Sequence, residues 1–190
     1  MALYAIQGWY QAQVSQVTQV GIPPFQICDV GGAGSNFWQV LAGLTSEPVV
    51  VVDPTTTQQT LRGHLGGVGE VIKDSVEHFV TYAHHGQFDI LTCISVIEHV
   101  EEVRKFFRAC HMLLKPGGLL FLTTDYWDAE GDDTAHFHWM RKRIYNDERM
   151  RTLLGGLREL GYASLGQADW SYKGPQVYDY SIASAAMVKK

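Results

Sequence analysis

Two acids and one run of small residues concentrate the chemistry open to this chain. Asp29 opens the segment Asp-Val-Gly-Gly-Ala-Gly-Ser-Asn at residues 29–36, directly after an apolar run. Gly31, Gly32, Ala33 and Gly34 carry little or no side chain, so a ligand can approach the backbone closely, and a helix starting just beyond offers it unpaired N–H groups. Asp53, with Pro54 behind it, ends the next apolar run. An acid in that place can accept hydrogen bonds from both hydroxyls of a ribose. The two strand ends together predict a nucleoside-containing cofactor. Singly they say less, because a tight turn also needs small residues and a strand-ending acid also caps helices.

A second concentration runs from Asp125-Tyr126-Trp127-Asp128 through Asp132-Asp133 to His136-Phe137-His138-Trp139. Carboxylates, imidazoles and aromatic rings in one stretch can hold a metal or stack on a planar ligand, and His136 and His138 are candidate catalytic side chains. The same composition fits a substrate-side loop over 125–145 without a metal, and no metal is expected. Arg141-Lys142-Arg143, followed by Arg149 and Arg151, is the one basic concentration. Facing a pocket it would hold a phosphate or carboxylate; facing water it would be a solvated surface.

These residues need a scaffold. Phe25–Val30 and Pro48–Val52 are short apolar runs ending in glycines or Asp-Pro, the pattern of buried strands. Glu70–Lys73, Phe88–Ser95 and Leu119–Thr124 supply three more. Helices are predicted over Asn36–Leu44, Thr57–Leu65 and Glu98–Leu114, the last with Val100, Val103, Phe107, Cys110 and Leu114 on one stripe and Pro116-Gly117-Gly118 as its stop. Asn146 caps a further helix, with Asp147 and Glu148 in its first turn, Leu153, Leu154, Leu157 and Leu160 on its apolar side and Gly161 at its end. An N-terminal helix within residues 1–24 closes at Gly21 and Pro23-Pro24. Strands near Ser164–Tyr172 and Tyr178–Val188, too close for a crossover helix, predict an antiparallel hairpin. The expected fold is α/β: a single domain over 1–190, with a doubly wound, mostly parallel seven-stranded sheet, helices on both faces and a C-terminal antiparallel hairpin. Such sheets bind ligands at the carboxyl ends of their strands, where the topology reverses.

The 190 residues include 15 basic and 20 acidic side chains, a net charge of -5. That excludes a general nucleic-acid binder, which needs a basic surface to displace counterions from phosphates. Cys28, Cys93 and Cys110 form no CxxC pair, and Cys28 and Cys93 sit in apolar runs as small hydrophobes. No basic n-region opens the chain, and no apolar run approaches the roughly 20 residues needed to cross a bilayer. A cytoplasmic protein with no membrane or nucleic-acid partner is expected.

Asp29-Val-Gly31-Gly-Ala33-Gly-Ser35 resembles motif I of class I S-adenosylmethionine (SAM)-dependent methyltransferases, Asp/Glu-x-Gly-x-Gly-x-Gly, with Ala33 and Ser35 in place of the second and third glycines. Phe88-Asp89-Ile90 with Ser95-Val-Ile-Glu98-His99-Val100 resembles the family's fourth-strand signature. Leu113-Leu-Lys-Pro-Gly-Gly118 followed by Leu-Leu-Phe-Leu-Thr resembles its fifth. The three stand in family order, and the resemblance spans roughly residues 25 to 188. It implies SAM as cofactor. Asp29, Gly31 and Gly34, with Gly32 and Ala33 beside them, would shape the pocket for the amino-acid end of SAM. Asp53, next to Pro54, would hold the ribose, and Ile94 and Ser95 would lie near the methionine part. Asp74 matches the acid that commonly meets the adenine amino group, with Ser75 and Val76 alongside, or is an ordinary exposed acid.

SAM already carries its leaving group, so the protein's tasks are to align an acceptor and, for a hydroxyl, to remove a proton. His99 is the first candidate base; alternatively, Glu98 and His99 start the helix and orient neighbouring loops. The signature is similar to that of O-methyltransferases of ubiquinone biosynthesis, whose Glu-x-x-Glu-His binds a divalent metal. Ser95 replaces the first Glu here, which argues against a metal at this spot. Many amino methyltransferases of nucleic acids and proteins carry Asp/Asn-Pro-Pro-Tyr/Phe where this chain has Ser95-Val-Ile-Glu98. With the acidic charge, that points to methyl transfer to a small molecule, at oxygen, and to an anionic one if the basic run faces the pocket. The short stretch before the first strand leaves the pocket open or completed by a second chain in a homodimer. Two rivals remain. A nicotinamide dehydrogenase wants Gly-x-Gly-x-x-Gly, but counting from Gly31 gives Gly-x-Ala-x-x-Asn; a scaffold domain of the same fold would bind without turnover.

Overall fold

Four consecutive valines have no polar face, so Val49–Val52 is stable as a strand only where both sides of a sheet are covered. The computed structural model places it so. It describes residues 8–9, 11–12, 24–32, 37–55, 69–127, 144–166, 170 and 181–190. The strands are β1 (Ile27–Val30), β2 (Val49–Val52), β3 (Gly69–Ile72), β4 (Phe88–Ile94), β5 (Leu114–Tyr126), β6 (Tyr162–Ser164) and β7 (Ser181–Lys189). They form one seven-stranded sheet in the order β3-β2-β1-β4-β5-β7-β6. β1 to β5 are mutually parallel, and β7 runs antiparallel to both β5 and β6.

Among the described residues after the N-terminal segment, four helices cover the sheet: α1 (Phe37–Ala42), α2 (Val76–Phe79), α3 (Val103–Leu113) and α4 (Asp147–Glu159). Alternation along the strands divides the core in two. Val49, Val51, Ile90 and Phe121 pack with Trp38 and Leu41 of α1 and with Trp9. Val50, Val52, Leu91 and Leu122 point the other way, against Phe79 of α2, Phe107 of α3 and Leu154 of α4. Helices on both faces, the mostly parallel sheet and the closing antiparallel pair are therefore as the sequence predicts. Asn146 caps α4, its side chain accepting from the Arg149 amide at 2.9 Å. Gly161 follows the helix with φ 98. Among the described residues, no helix is long and apolar enough to cross a membrane.

Four local expectations are corrected. The hairpin's first strand, expected near Ser164–Tyr172, comes earlier as β6 (Tyr162–Ser164), while the second, expected at Tyr178–Val188, is β7 (Ser181–Lys189), with 178–180 outside the described residues. The reason is long-range, since β7 is zipped along β5 from Leu119↔Val188 to Tyr126↔Ser181 and so lies between β5 and β6. The single helix expected over Glu98–Leu114 is divided into a 3-10 turn, Ile97–His99, and α3, with Val100 extended between them; the turn buries Ile97 and Glu98 before the helix restarts. Helix α2 was not expected, being too short to show a period; Ser75 caps it through the His78 amide at 3.2 Å. Finally, β5 begins at Leu114 rather than after the Pro-Gly-Gly stop. Its register with β4 jumps from Phe88↔Leu114 to Ile90↔Leu119, which bulges Lys115–Gly118 out of the ladder. The helix predicted over 57–65 lies outside the described residues, as does most of the N-terminal helix, of which Gly8, Trp9, Gln11 and Ala12 are helical.

That bulge is tied down at the amino end of the sheet. Lys115 Nζ donates to both carboxylate oxygens of Asp89 at 2.8 Å, and the Gln26 amide donates to Asp89 Oδ2 at 2.8 Å. Asp89→Ala leaves the Gln26 N–H without its acceptor, and urea denaturation should show a loss of about 1–3 kcal/mol. Ligand affinity should stay as in wild type, because Asp89 lies at the opposite end from the site described next.

Candidate functional site

Strand order fixes where a ligand can enter. The chain builds β1, β2 and β3 outward in one direction and then returns to place β4 on the other side of β1. The topology thus reverses at the carboxyl ends of β1 and β4, the place where sheets of this kind bind their ligands. Asp29 sits there, one residue before the end of β1, with Val51 and Thr92 as its partners in register. It is fully buried. Thr92 Oγ1 donates to Asp29 Oδ1 at 2.6 Å, while Oδ2 has no hydrogen-bond partner among the described residues. Burial above all, with the nearby Asp53 charge adding and the Thr92 hydroxyl opposing, pushes the Asp29 carboxyl up to about 7.

The glycines answer two neighbours. A Cβ at Gly32 would overlap Asp29 Oδ2 and come within 3.2 Å of Val51 Cγ1. Gly31 turns out of β1 with φ 73, and its amide donates to the Val52 carbonyl at 2.8 Å. Just after β2, Asp53 is buried and Pro54 exposed. Asp53 Oδ1 accepts from the amide and the hydroxyl of Thr55, each at 2.7 Å, which sets the carboxylate at the strand end.

Asp74, after β3, is engaged by its own helix. It accepts from the Ser75 amide at 2.8 Å and from the Tyr82 hydroxyl at 2.8 Å, and contacts His78 Nδ1 at 2.6 Å. The Tyr82 hydroxyl, with help from His78 and Ser75, holds its carboxyl below the usual carboxylate range. Ser75 caps α2 and Val76 is buried in the core, so this trio anchors the helix at the sheet's edge. At the end of β4, Ile94 and Ser95 are half-buried. The 3-10 turn beyond them exposes His99 and buries Glu98, whose Oε2 accepts from Thr124 Oγ1 at 3.3 Å.

Beyond β5, Asp125 and Tyr145 close the base of the predicted substrate-side loop. The Tyr145 amide donates to the Asp125 carbonyl at 2.9 Å and the Trp127 amide to the Tyr145 carbonyl at 2.8 Å. Ala33, Gly34, His136, His138 and the basic run at 141–143 lie outside the described residues. Among those described, no three His, Cys, Asp or Glu side chains are grouped to hold a metal ion. Cys28, Cys93 and Cys110 are buried free thiols, pushed up by burial, and serve as packing.

One pattern escapes motif reading. The buried carboxylates among the described residues are Asp29, Asp53, Glu98 and Asp125, and all four stand at the carboxyl edge of the sheet, together with buried Thr92, Thr123 and Thr124. Burying charge is costly unless something compensates it. Such an edge suits a cationic ligand and repels a polyanion. Thr92 was missed, although a threonine inside the apolar run Phe88–Ile94 is the signal that could have found it.

Comparison with known proteins agrees with this geometry. The family model for a methyltransferase domain matches residues 28–122. The ubiquinone biosynthesis O-methyltransferase of Xanthomonas campestris is 31% identical over 108 residues, 56% of this chain and 45% of that protein. The protein of the same name from Pseudomonas aeruginosa is 54% identical over 39 residues, 20% of this chain and 17% of that one. The chain thus spans less than half the length of these curated relatives. An S-adenosylmethionine-dependent methyltransferase from Mesorhizobium loti shares the fold, with a TM-score of 0.66 at 13% identity over 97% of this chain and all of that one (100%). With half of its length inside the methyltransferase domain and buried acids at the reversal of its sheet, the chain belongs to the class I S-adenosylmethionine-dependent methyltransferase family.

Proposed function

We propose that this protein transfers the methyl group of SAM to an oxygen atom of a small-molecule acceptor. The observation that carries the reading is Asp29: a fully buried carboxylate with one unpartnered oxygen, at the sheet's point of reversal, calls for positive charge from a ligand. The residues present fit SAM, whose sulfonium and ammonium groups are cationic. When bound, SAM supplies an electrophilic methyl group that needs no further activation. What the chain must do is bind, orient and deprotonate. Asp53, fixed by Thr55, would accept from the ribose hydroxyls. Gly31 and Gly32 would bring backbone to the amino-acid end, a role the sequence resemblance extends to Ala33 and Gly34. Ile94 and Ser95 border the methionine chain. Asp74, Ser75 and Val76 support the adenine side through α2 rather than through a free carboxylate. His99, exposed on the turn after β4, takes the proton of the acceptor hydroxyl, with His136 and His138 as further candidates from the substrate-side loop.

Oxygen as the accepting atom is supported by the names of the curated relatives and by Ser95-Val-Ile-Glu98 after β4. The acidic edge and net charge of -5 favour a small acceptor over nucleic acid. Membrane association has no support in the described helices, and a cytoplasmic location, an acceptor carrying an anionic group and a homodimer complete the proposal. Calorimetry with S-adenosylhomocysteine, SAM and NAD tests the binding half, and label transfer from methyl-labelled SAM to a panel of phenols and catechols tests the rest. S-adenosylhomocysteine should bind and NAD should not. NAD binding selects an oxidoreductase, and donor binding without transfer to any acceptor selects a scaffold. His99→Gln should lower the transfer rate by about 10²–10⁴-fold with little change in S-adenosylhomocysteine affinity; an unchanged rate removes His99 from the chemistry.

A further inference from the structure

Val30 of β1 pairs with Cys93 of β4, so the two strands end at the same level where the topology reverses. Both then turn through left-handed backbone. Gly31 does so with φ 73, and Ser95 with φ 51, the one non-glycine residue with positive φ among the described residues. For serine that conformation is strained and persists only where its surroundings enforce it. Here the Ser95 amide donates to Thr123 Oγ1 at 3.0 Å and to the Thr123 carbonyl at 3.2 Å, which clamps the turn against β5.

The consequence is where Val96 goes. Its isopropyl group is seated on the α-carbon of Gly31: a Cβ there would overlap Val96 Cγ2 and lie 3.0 Å from Cγ1 and 3.3 Å from Cβ. Glycine at 31 is therefore required by a protein neighbour, since the space over its α-carbon is filled by valine and is not left for a ligand. Gly31 is held between the Val52 carbonyl of β2 on one side and Val96 on the other.

We propose that Val96 is a positioning residue for methyl transfer: aimed by the strained Ser95, it holds the glycine bend after β1 at the depth that receives the homocysteine end of the donor. This rests on the point of reversal being the donor site. It assigns the residue after β4 a role on the donor's amino-acid end and none on its adenosine. The two ends can be read separately, with S-adenosylhomocysteine reporting both and adenosine reporting only the nucleoside subsite.

Calorimetry on wild type, Val96→Ala and Val96→Ile with these two probes decides the matter. Val96→Ala should weaken S-adenosylhomocysteine by about tenfold, the equivalent of about 1.4 kcal/mol, and leave adenosine within about twofold. Retained adenosine binding also shows that the variant is folded. Val96→Ile, which keeps the branched group against Gly31, should hold S-adenosylhomocysteine within about threefold of wild type. Unchanged S-adenosylhomocysteine affinity in Val96→Ala overturns the proposal, and so does an equal loss for both probes, which would report general loosening. Wild-type protein that binds neither probe overturns the donor-site reading and this assignment with it.

Discussion

Asp29→Asn should gain stability over wild type as pH rises from about 4 to about 7. In the folded protein the Asp29 carboxyl is raised to about 7 by burial, while in the unfolded chain it titrates in the ordinary carboxylate range. Between those two values the folded state holds a proton that the unfolded state has released, so stability from this group falls as pH rises through the window and is flat on either side. A shift of about three units corresponds to about 4 kcal/mol across the window. The asparagine carries no such term. Urea denaturation at a series of pH values should show the two curves separating by up to that amount, and parallel curves would mean that the carboxylate is not buried as described.

Under the proposed function, the same residue should govern donor binding. A cationic ligand supplies the charge that Asp29 lacks, so its binding favours the ionised carboxylate and expels the proton. SAM should therefore bind more tightly as pH rises toward 7 and level off above it. Calorimetry in buffers of different ionisation heat should detect a released proton below that point. In Asp29→Asn both the slope and the proton release should vanish, with weaker binding throughout. The groups facing Asp29 do not supply an alternative: Thr92 is neutral, Asp53 has the same sign, and Cys28 and Cys93 are buried thiols held protonated.

Gly32→Ala carries the other large effect. Its methyl group would occupy the space of Asp29 Oδ2, and Asp29 cannot retreat because Thr92 holds its other oxygen and Val51 closes the side. Overpacking of this kind costs about 1–3 kcal/mol. A shift of the bend by even an ångström should lower the methyl-transfer rate about hundredfold. The mechanism makes a further demand. Adding Asp29→Ala to Gly32→Ala removes the carboxylate that is struck, so the double variant should be more stable than the two single losses predict, by about 0.5–3 kcal/mol of coupling. Strict additivity in thermal melts would show that the clash lies elsewhere. Methyl transfer should not return, since the acid is gone.

Much of this architecture was legible in residue order because its signals are local. The valines of β2, the apolar run of β4, the Asn146 cap and Gly161 at the end of α4 each declare their element within a few residues. Asp29 and Asp53 were legible for the same reason, since each ends an apolar run. The elements whose bounds or pairing no local signal gives depend on partners far along the chain. β7 is extended where it is because β5 pairs with it, and Lys115–Gly118 bulges because β4 is the shorter partner at that point. Helix α2 has too few residues for a period to show, and the 3-10 turn at Ile97–His99 interrupts a stripe that periodicity alone would continue.

By itself, then, the sequence determined the class of fold and the acids that stand at the carboxyl edge of its sheet, because hydrophobic periodicity and strand-ending residues act over short distances. Only the tertiary structure decided what state those acids are in and what the glycines are for. Asp29 is raised because the sheet closes over it, and Thr92 reaches it only because β4 is laid beside β1. Gly32 makes room for a carboxylate and Gly31 for Val96, neighbours that no spacing along the chain reveals. Charge burial and steric fit depend on what lies across a strand gap, and that information exists only once the chain has folded.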